Sequence, residues 1–234
     1  SGSGSTSGVL RGLEWIASRT APGTKAVVNM SLGGGFSSAL NNAVQNIINR
    51  GIPVVVAASN ESSDSCTASP ASAPNALTVA ATDSSDRFAS YSNRGSCVDI
   101  LAPGSNITSA YSTGPTSTRT LSGTSMASPH VAGAVALLYE EGYKTPAQLS
   151  TLLLENSIDS TITSVPAGTV NKFLFTGPGT QAASISPAAI SVSGILGQPI
   201  TPSNAPTVSN LPGSVTYSTV SYTHLRAHET GRNL

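Results

Sequence analysis

Apolar and polar positions follow two rhythms along this chain. Over residues 7–20, Val9, Leu10, Leu13, Trp15 and Ile16 fall at helical spacing, and Pro22-Gly23 ends the run. The spacing predicts an amphipathic helix. Residues 38–50 repeat it with Ala39, Leu40, Ala43, Val44, Ile47 and Ile48. The other rhythm is the short unbroken apolar run. Residues 25–30 read as a buried strand, and Gly51-Ile52-Pro53 turns into residues 54–58, Val-Val-Val-Ala-Ala. A strand apolar on both faces belongs to a parallel sheet covered by helices. Residues 76–81 and 97–101 predict two more strands, 107–110 and 119–121 a hairpin, 146–156 a surface helix with proline in its first turn, and 171–175 a closing segment. Strand–helix alternation of this kind predicts an α/β fold, a doubly wound parallel sheet with helices on both faces.

Two places in this pattern carry candidate chemistry. Residues 131–138, Val-Ala-Gly-Ala-Val-Ala-Leu-Leu, are apolar all round, so a helix there must be buried. Before them stands Gly123-Thr124-Ser125-Met126-Ala127-Ser128-Pro129-His130. Proline is tolerated in a first helical turn. Ser125 is therefore expected where the helix begins, at the positive end of its dipole and beside N–H groups without intrahelical partners. That suits stabilisation of a developing oxyanion. Read alone, the same serine is an ordinary N-cap. The second place is Ser59-Asn60, at the end of the Val-rich strand. An asparagine ending a rigid strand can aim its amide without reorganising; read alone, it is a routine turn residue. The glycines of Asn29-Met30-Ser31-Leu32-Gly33-Gly34-Gly35 allow close backbone approach by a ligand. His130 lies just over one turn beyond Ser125 on the same helix, too rigidly tied to act as its base, and is read as structural.

Charged residues make up 9% of the 234, with zero formal net charge. This gives no electrostatic case for nucleic acid or an anionic membrane, and no apolar run is long enough to span a bilayer. The composition, rich in small residues, suits a secreted protein. The opening Ser-Gly-Ser-Gly-Ser-Thr has no initiator Met and no basic leader, so the chain is expected to begin inside a longer protein. Two cysteines, Cys66 and Cys97, favour one disulfide in such a setting; two buried thiols or a metal-binding pair are the alternatives. The main domain is expected over residues 1–176, a linker over 177–184, and a fragment of a β-sandwich-like module over 185–220, too short to complete one. Residues 221–234 change character again and read as a non-native tail; His224 and His228 lack companion ligands for a metal site.

The octapeptide at residues 123–130 is similar to the nucleophile motif of the subtilases, the subtilisin-like serine peptidases. Residues 54–60 resemble the strand that delivers that family's oxyanion-hole asparagine. The likeness covers about residues 1–175 and is closest to the proteinase K and aqualysin branch. It implies peptide-bond hydrolysis through an acyl-enzyme, with Ser125 as nucleophile and Asn60 joined by the Ser125 N–H as oxyanion donors. Subtilases order their triad Asp, His, Ser, so the acid and base are expected upstream of Ser1 and the chain as given is expected to be inactive. The resemblance places substrate between one wall of Ser31, Leu32 and Gly33 and another of Ala57, Ala58 and Ser59, beside Thr124. The substrate backbone would add as a strand between residues 31–33 and Gly2, Ser3 and Gly4. One departure stands out: the family has glycine where this chain has Ser59, which narrows the pocket. With no committed acid in either wall, small or apolar side chains are expected over basic ones; the direction of Glu61 is not legible.

The same branch implies a Cys66–Cys97 disulfide, a cis Ser69–Pro70 bond, and a structural calcium held by the carbonyls of Pro74 and Ala76 with Asp99. Hard oxygen donors suit that ion; the alternative leaves Asp99 a solvated strand residue. No cofactor is required for the chemistry. The expectation is a secreted monomer acting on polypeptides. Its rivals are a pseudopeptidase and a surface-binding module built on the β-rich segment.

Overall fold

The computed structural model describes residues 4–21, 23–140, 142 and 144–176. Gly2 and Ser3, and the expected linker, β-rich fragment and tail, lie outside the described residues. In chain order the elements are α1 (Thr6–Arg19), β1 (Val28–Met30), β2 (Gly34–Gly35), α2 (Ser38–Asn49), β3 (Val54–Ala57), β4 (Ala68–Ser69), β5 (Leu77–Thr82), β6 (Ile100–Pro103), β7 (Ile107–Ala110), β8 (Thr118–Leu121), α3 (Thr124–Glu140), α4 (Pro146–Glu155), β9 (Ile158–Asp159) and β10 (Lys172–Phe173). The main sheet runs β1-β3-β5-β6-β10-β9. Its neighbours pair in parallel except β10 with β9.

The helix starts follow from short polar side chains. Ser5 accepts the Gly8 N–H at 3.1 Å and Ser37 the Leu40 N–H at 3.3 Å. Thr145 and Gln148 form a reciprocal capping box ahead of α4. The apolar stripes of the first two helices, Leu13 and Ile16 with Leu40, Val44 and Ile47, are buried against Val54 and Val56. Val55 points the other way and packs with Val79 and Ile100 under Val131 and Val135 of α3 and Leu149 of α4. Successive strand residues face opposite sides. The run of three valines therefore feeds two cores, and the sheet is doubly covered as the apolar pattern predicts. Each fully buried aliphatic side chain contributes about 1.5–3 kcal/mol relative to exposure.

Four details differ from the sequence reading. Trp15 is 50% exposed, its ring beneath the Arg19 guanidinium; it lies roughly 200° around the helix from buried Leu13. β6 begins at Ile100 and not at Cys97. Cys97 is bonded to Cys66, with Cα atoms 5.3 Å apart, and the Val98 N–H turns back to the Gly95 carbonyl. β1–α2–β3 is a strand–helix–strand unit, and α3 and α4 lie on the path from β6 to its parallel neighbour β10; no helix longer than the 3-10 turn at Ser65–Thr67 joins β3 to β5 or β5 to β6. Those loops are held by the disulfide, by the β2–β4 pairing and by the turn containing the cis Ser69–Pro70 bond. Finally, α3 starts one residue before Ser125. Gly123's carbonyl takes the Met126 N–H at 3.0 Å, so Pro129 falls in the second turn and not the first.

Candidate active site

In open parallel sheets, ligands gather at the carboxyl ends of the strands. Here β1 and β3 are neighbours in register, Met30 beside Val56, and both chains leave the sheet at the same end. Ser31 follows the first, and Ala58, Ser59 and Asn60 follow the second. The first turn of α3 packs across them. A cleft of about 1010 Å³ opens there, and its lining includes Ser31, Gly33, Ser59, Asn60 and Ser125.

The bond that Pro129 deletes explains how Ser125 is held. A proline has no N–H for the carbonyl four residues back, which here is that of Ser125. Ser31 replaces the missing donor: its Oγ–H bonds to the Ser125 carbonyl at 2.9 Å. The pairing is reciprocal, because the Ser125 hydroxyl donates to the Ser31 carbonyl at 3.1 Å. Behind it, Asn29 donates from Nδ2 to Ser31 Oγ at 2.9 Å and accepts from Ser128 Oγ at 2.6 Å. The end of β1 and the start of α3 are thus one polar unit, buried so that Ser125 is only 6% exposed.

Asn60 is oriented by Thr124. Its Oδ1 accepts the Thr124 backbone N–H at 2.9 Å and the Thr124 hydroxyl at 3.0 Å. The same hydroxyl accepts the Ser59 N–H at 3.1 Å. Two donors on Oδ1 fix the sense of the amide and turn its NH2 away from Thr124. Segments 64 residues apart in sequence are joined by this contact.

The loop carrying Asn60 is fixed from beneath by Asn93, buried at 1% exposure. Its N–H bonds to the Ser59 carbonyl at 2.9 Å, and its Oδ1 accepts the N–H groups of Glu61 and Ser63. Glu61 now has a direction: it lines the cleft, and its Oε2 accepts the Asn60 N–H and an Nδ2–H of Asn93, each at 3.1 Å. Ser59 itself holds φ at 80°, a left-handed conformation that strongly favours glycine.

The other expected site residues divide. Gly4, Leu32 and Ala57 line the cleft. Ala58 does not: strand alternation turns it into a core with Phe88, Val98 and Leu101, and its N–H is spent on the Val79 carbonyl. Thr124, fully buried, acts on the cleft through Asn60 and Ser59 and does not border it. His130 sits on the exposed side of α3 with Nδ1 on the Met126 carbonyl at 2.8 Å, within its own helix. Asn93 had no signal in the sequence, since nothing local distinguishes it from any loop asparagine. The role of Ser31 was encoded in the proline four residues after Ser125, a clue that reads only once the two are seen together.

Asp99 stands at the opposite, amino-terminal end of the sheet. Its Oδ2 accepts the Thr78 N–H at 2.8 Å, and its own N–H bonds to the Thr78 carbonyl. Burial pushes its pKa up to about 6, against a smaller opposing pull from that Thr78 bond. No lysine or arginine pairs with it among the described residues. Pro74 and Ala76 lie on the turn entering β5, the strand beside Asp99. A half-buried carboxylate with no lysine or arginine partner among the described residues, beside the turn that carries Pro74 and Ala76, offers the oxygen donors that a hard cation such as Ca²⁺ takes.

A doubly wound sheet that presents a buried serine and an oriented carboxamide in one cleft has the architecture of a serine hydrolase. The chain belongs to the subtilase family, whose model matches residues 1–189. It is 46% identical over 178 residues to a cuticle-degrading serine protease of Arthrobotrys oligospora, covering 75% of this chain and 43% of that protein. It is 49% identical over 177 residues to an extracellular serine proteinase of a Thermus species, covering 75% and 42%. Among solved structures, a cold-adapted subtilisin-like serine proteinase aligns with a TM-score of 0.72 at 47% identity, over 76% of this chain and 64% of that one. The chain spans less than half the length of these two curated relatives.

Proposed function

We propose that this chain is part of a serine endopeptidase that cleaves polypeptides through an acyl-enzyme. Ser125 Oγ attacks the scissile carbonyl carbon, and the negative charge formed on the carbonyl oxygen is met by the Asn60 amide and the Ser125 N–H. The observation that carries this is the convergence of Ser125 and Asn60 on one cleft, each held there by hydrogen bonds. A serine hydroxyl needs a base to take its proton. His130 is turned to its own helix, so the reading assigns base and orienting acid to a histidine and an aspartate in the rest of a full-length protein. The names of the relatives support secretion, and among the described residues no helix is long and apolar enough to cross a membrane. Asp99, with the carbonyls of Pro74 and Ala76, would hold a structural calcium that ties the entry of β5 to β6 and takes no part in bond cleavage.

The test is labelling of the full-length protein by a serine-directed fluorophosphonate. The wild type should be modified and Ser125→Ala should not. Equal labelling of the two would overturn the role of Ser125, and none of either alongside a correctly folded protein would instead favour the pseudopeptidase reading.

A further inference from the structure

The two cleft walls are both fastened to the turn that carries Ser125. Ser31 bonds to Ser125 directly, and the Ser59 N–H bonds to Thr124. In an acyl group on Ser125, the side chain of the acylating residue begins two bonds from the carbonyl carbon. On the peptidase reading it enters the space between these walls, and their separation decides what fits.

Ser59 closes that space. A Cβ built on Gly33 would lie 2.1 Å from Ser59 Oγ and 3.4 Å from Ser59 Cβ. A carbon–carbon bond is about 1.5 Å, so the hydroxyl already touches the α-carbon of Gly33. An aromatic ring slid between two walls needs about 3.5–4.0 Å of contact distance on each face, or roughly 7 Å from wall to wall. The walls here meet through a single contact. Turning the hydroxyl about its Cα–Cβ bond does not reopen the slot, because Cβ stays where it is. Nor can the backbone withdraw easily, since the Ser59 N–H is bound to Thr124 and its carbonyl to the Asn93 N–H. The left-handed φ of 80° is what aims Cβ at Gly33.

We infer that Ser59 is a specificity-determining residue: it stops the side-chain slot beside Ser125 at the depth of a methyl or hydroxymethyl group. The chain then acts after Gly, Ala or Ser and rejects aromatic and long aliphatic residues. This rests on the peptidase reading above.

The experiment has two arms on the full-length enzyme. Peptide substrates differing only in Ala or Phe before the cleaved bond are compared on wild type and Ser59→Gly. The wild type should favour Ala in kcat/KM by at least about tenfold, the scale on which pocket size discriminates, and Ser59→Gly should shift the ratio toward Phe by a similar factor. The second arm needs no activity. Gly33→Ala is made in both backgrounds, and its Tm penalty should be greater beside Ser59, whose hydroxyl must turn aside, than beside Gly. Equal cleavage after Phe and Ala by the wild type, an unchanged ratio in Ser59→Gly, or equal Tm penalties in both backgrounds overturns the inference. Hydrolysis after no residue at all, with the Tm difference intact, strikes at the peptidase reading and removes the slot's role with it.

Discussion

A carboxamide can sit either way round in a cleft, and its neighbours decide which end faces the substrate. Asn60 has two donors on its oxygen, both from Thr124. One is a backbone N–H that Thr124→Val leaves in place; the other is a hydroxyl that also receives the Ser59 N–H. Thr124→Val deletes that hydroxyl and loosens Asn60 without touching the cleft surface. In the full-length enzyme we expect kcat to fall while KM stays near its wild-type value, because the lost precision matters only where charge develops. Loss of a whole oxyanion donor costs about 10²–10³ in kcat; that range comes from subtilisin, a member of this family, and bounds the effect from above. Thr124→Ser, which keeps the hydroxyl, should restore most of the rate. A fall for Thr124→Ser with none for Thr124→Val would show that the methyl packing, and not the hydrogen bond, positions Asn60.

At the scale of elements, the junction of β1 with α3 rests on an exchange of donors. Pro129 removes a helix bond to the Ser125 carbonyl, and Ser31 supplies a substitute. Removing one partner of a buried hydrogen bond costs about 1–3 kcal/mol, and Ser31→Ala should destabilise by that much in denaturant unfolding. Pro129→Ala gives the helix back its own N–H at the same carbonyl. In that background Ser31→Ala should cost less, with a coupling of about 0.5–3 kcal/mol in a double-mutant cycle. Strictly additive effects would mean that the two donors do not serve the same oxygen. The apolar character of α3 follows the same division of labour: Val131, Val135 and Leu138 are buried against the sheet, while Gly133 and His130 remain exposed.

At the scale of the molecule, the site and the proposed calcium lie at opposite ends of the sheet. The ion would therefore act on stability and not on the reacting atoms. Chelation with EDTA should lower the Tm of the wild type, and added Ca²⁺ should restore it. Asn at position 99 removes the carboxylate, so Asp99→Asn should be insensitive to both treatments. A wild type indifferent to EDTA and Ca²⁺ would leave Asp99 as a half-buried acid with Thr78 as its partner. The same scale shows why long irregular chain can replace crossover helices between β3, β5 and β6. Its buried polar groups are met by Asn93, by the disulfide-linked turn and by the β2–β4 pair, which leaves the carboxyl end of β3 open for Asn60.

What the chain determines locally, it states plainly. Helical spacing located α1, α2 and α4 to within two residues, because a 3.6-residue repeat of apolar side chains has one low-energy use. The valine run identified a doubly covered strand for a similar reason, whereas the segments at Ser125 and Asn60 pointed to a site only through their resemblance to subtilase motifs, since each read alone is an ordinary cap or turn residue. Tertiary structure decided everything that depends on two distant segments meeting. Trp15, roughly 200° around α1 from Leu13, was left outside by which face of the helix meets the core, Ala58 was turned inward by strand alternation, and Asn93 acquired its place only when its loop folded back beneath Ser59. Whether Ser59 is a mild substitution or a plug also lay beyond the sequence, since that depends on a contact with Gly33 across a gap that only the packed fold defines.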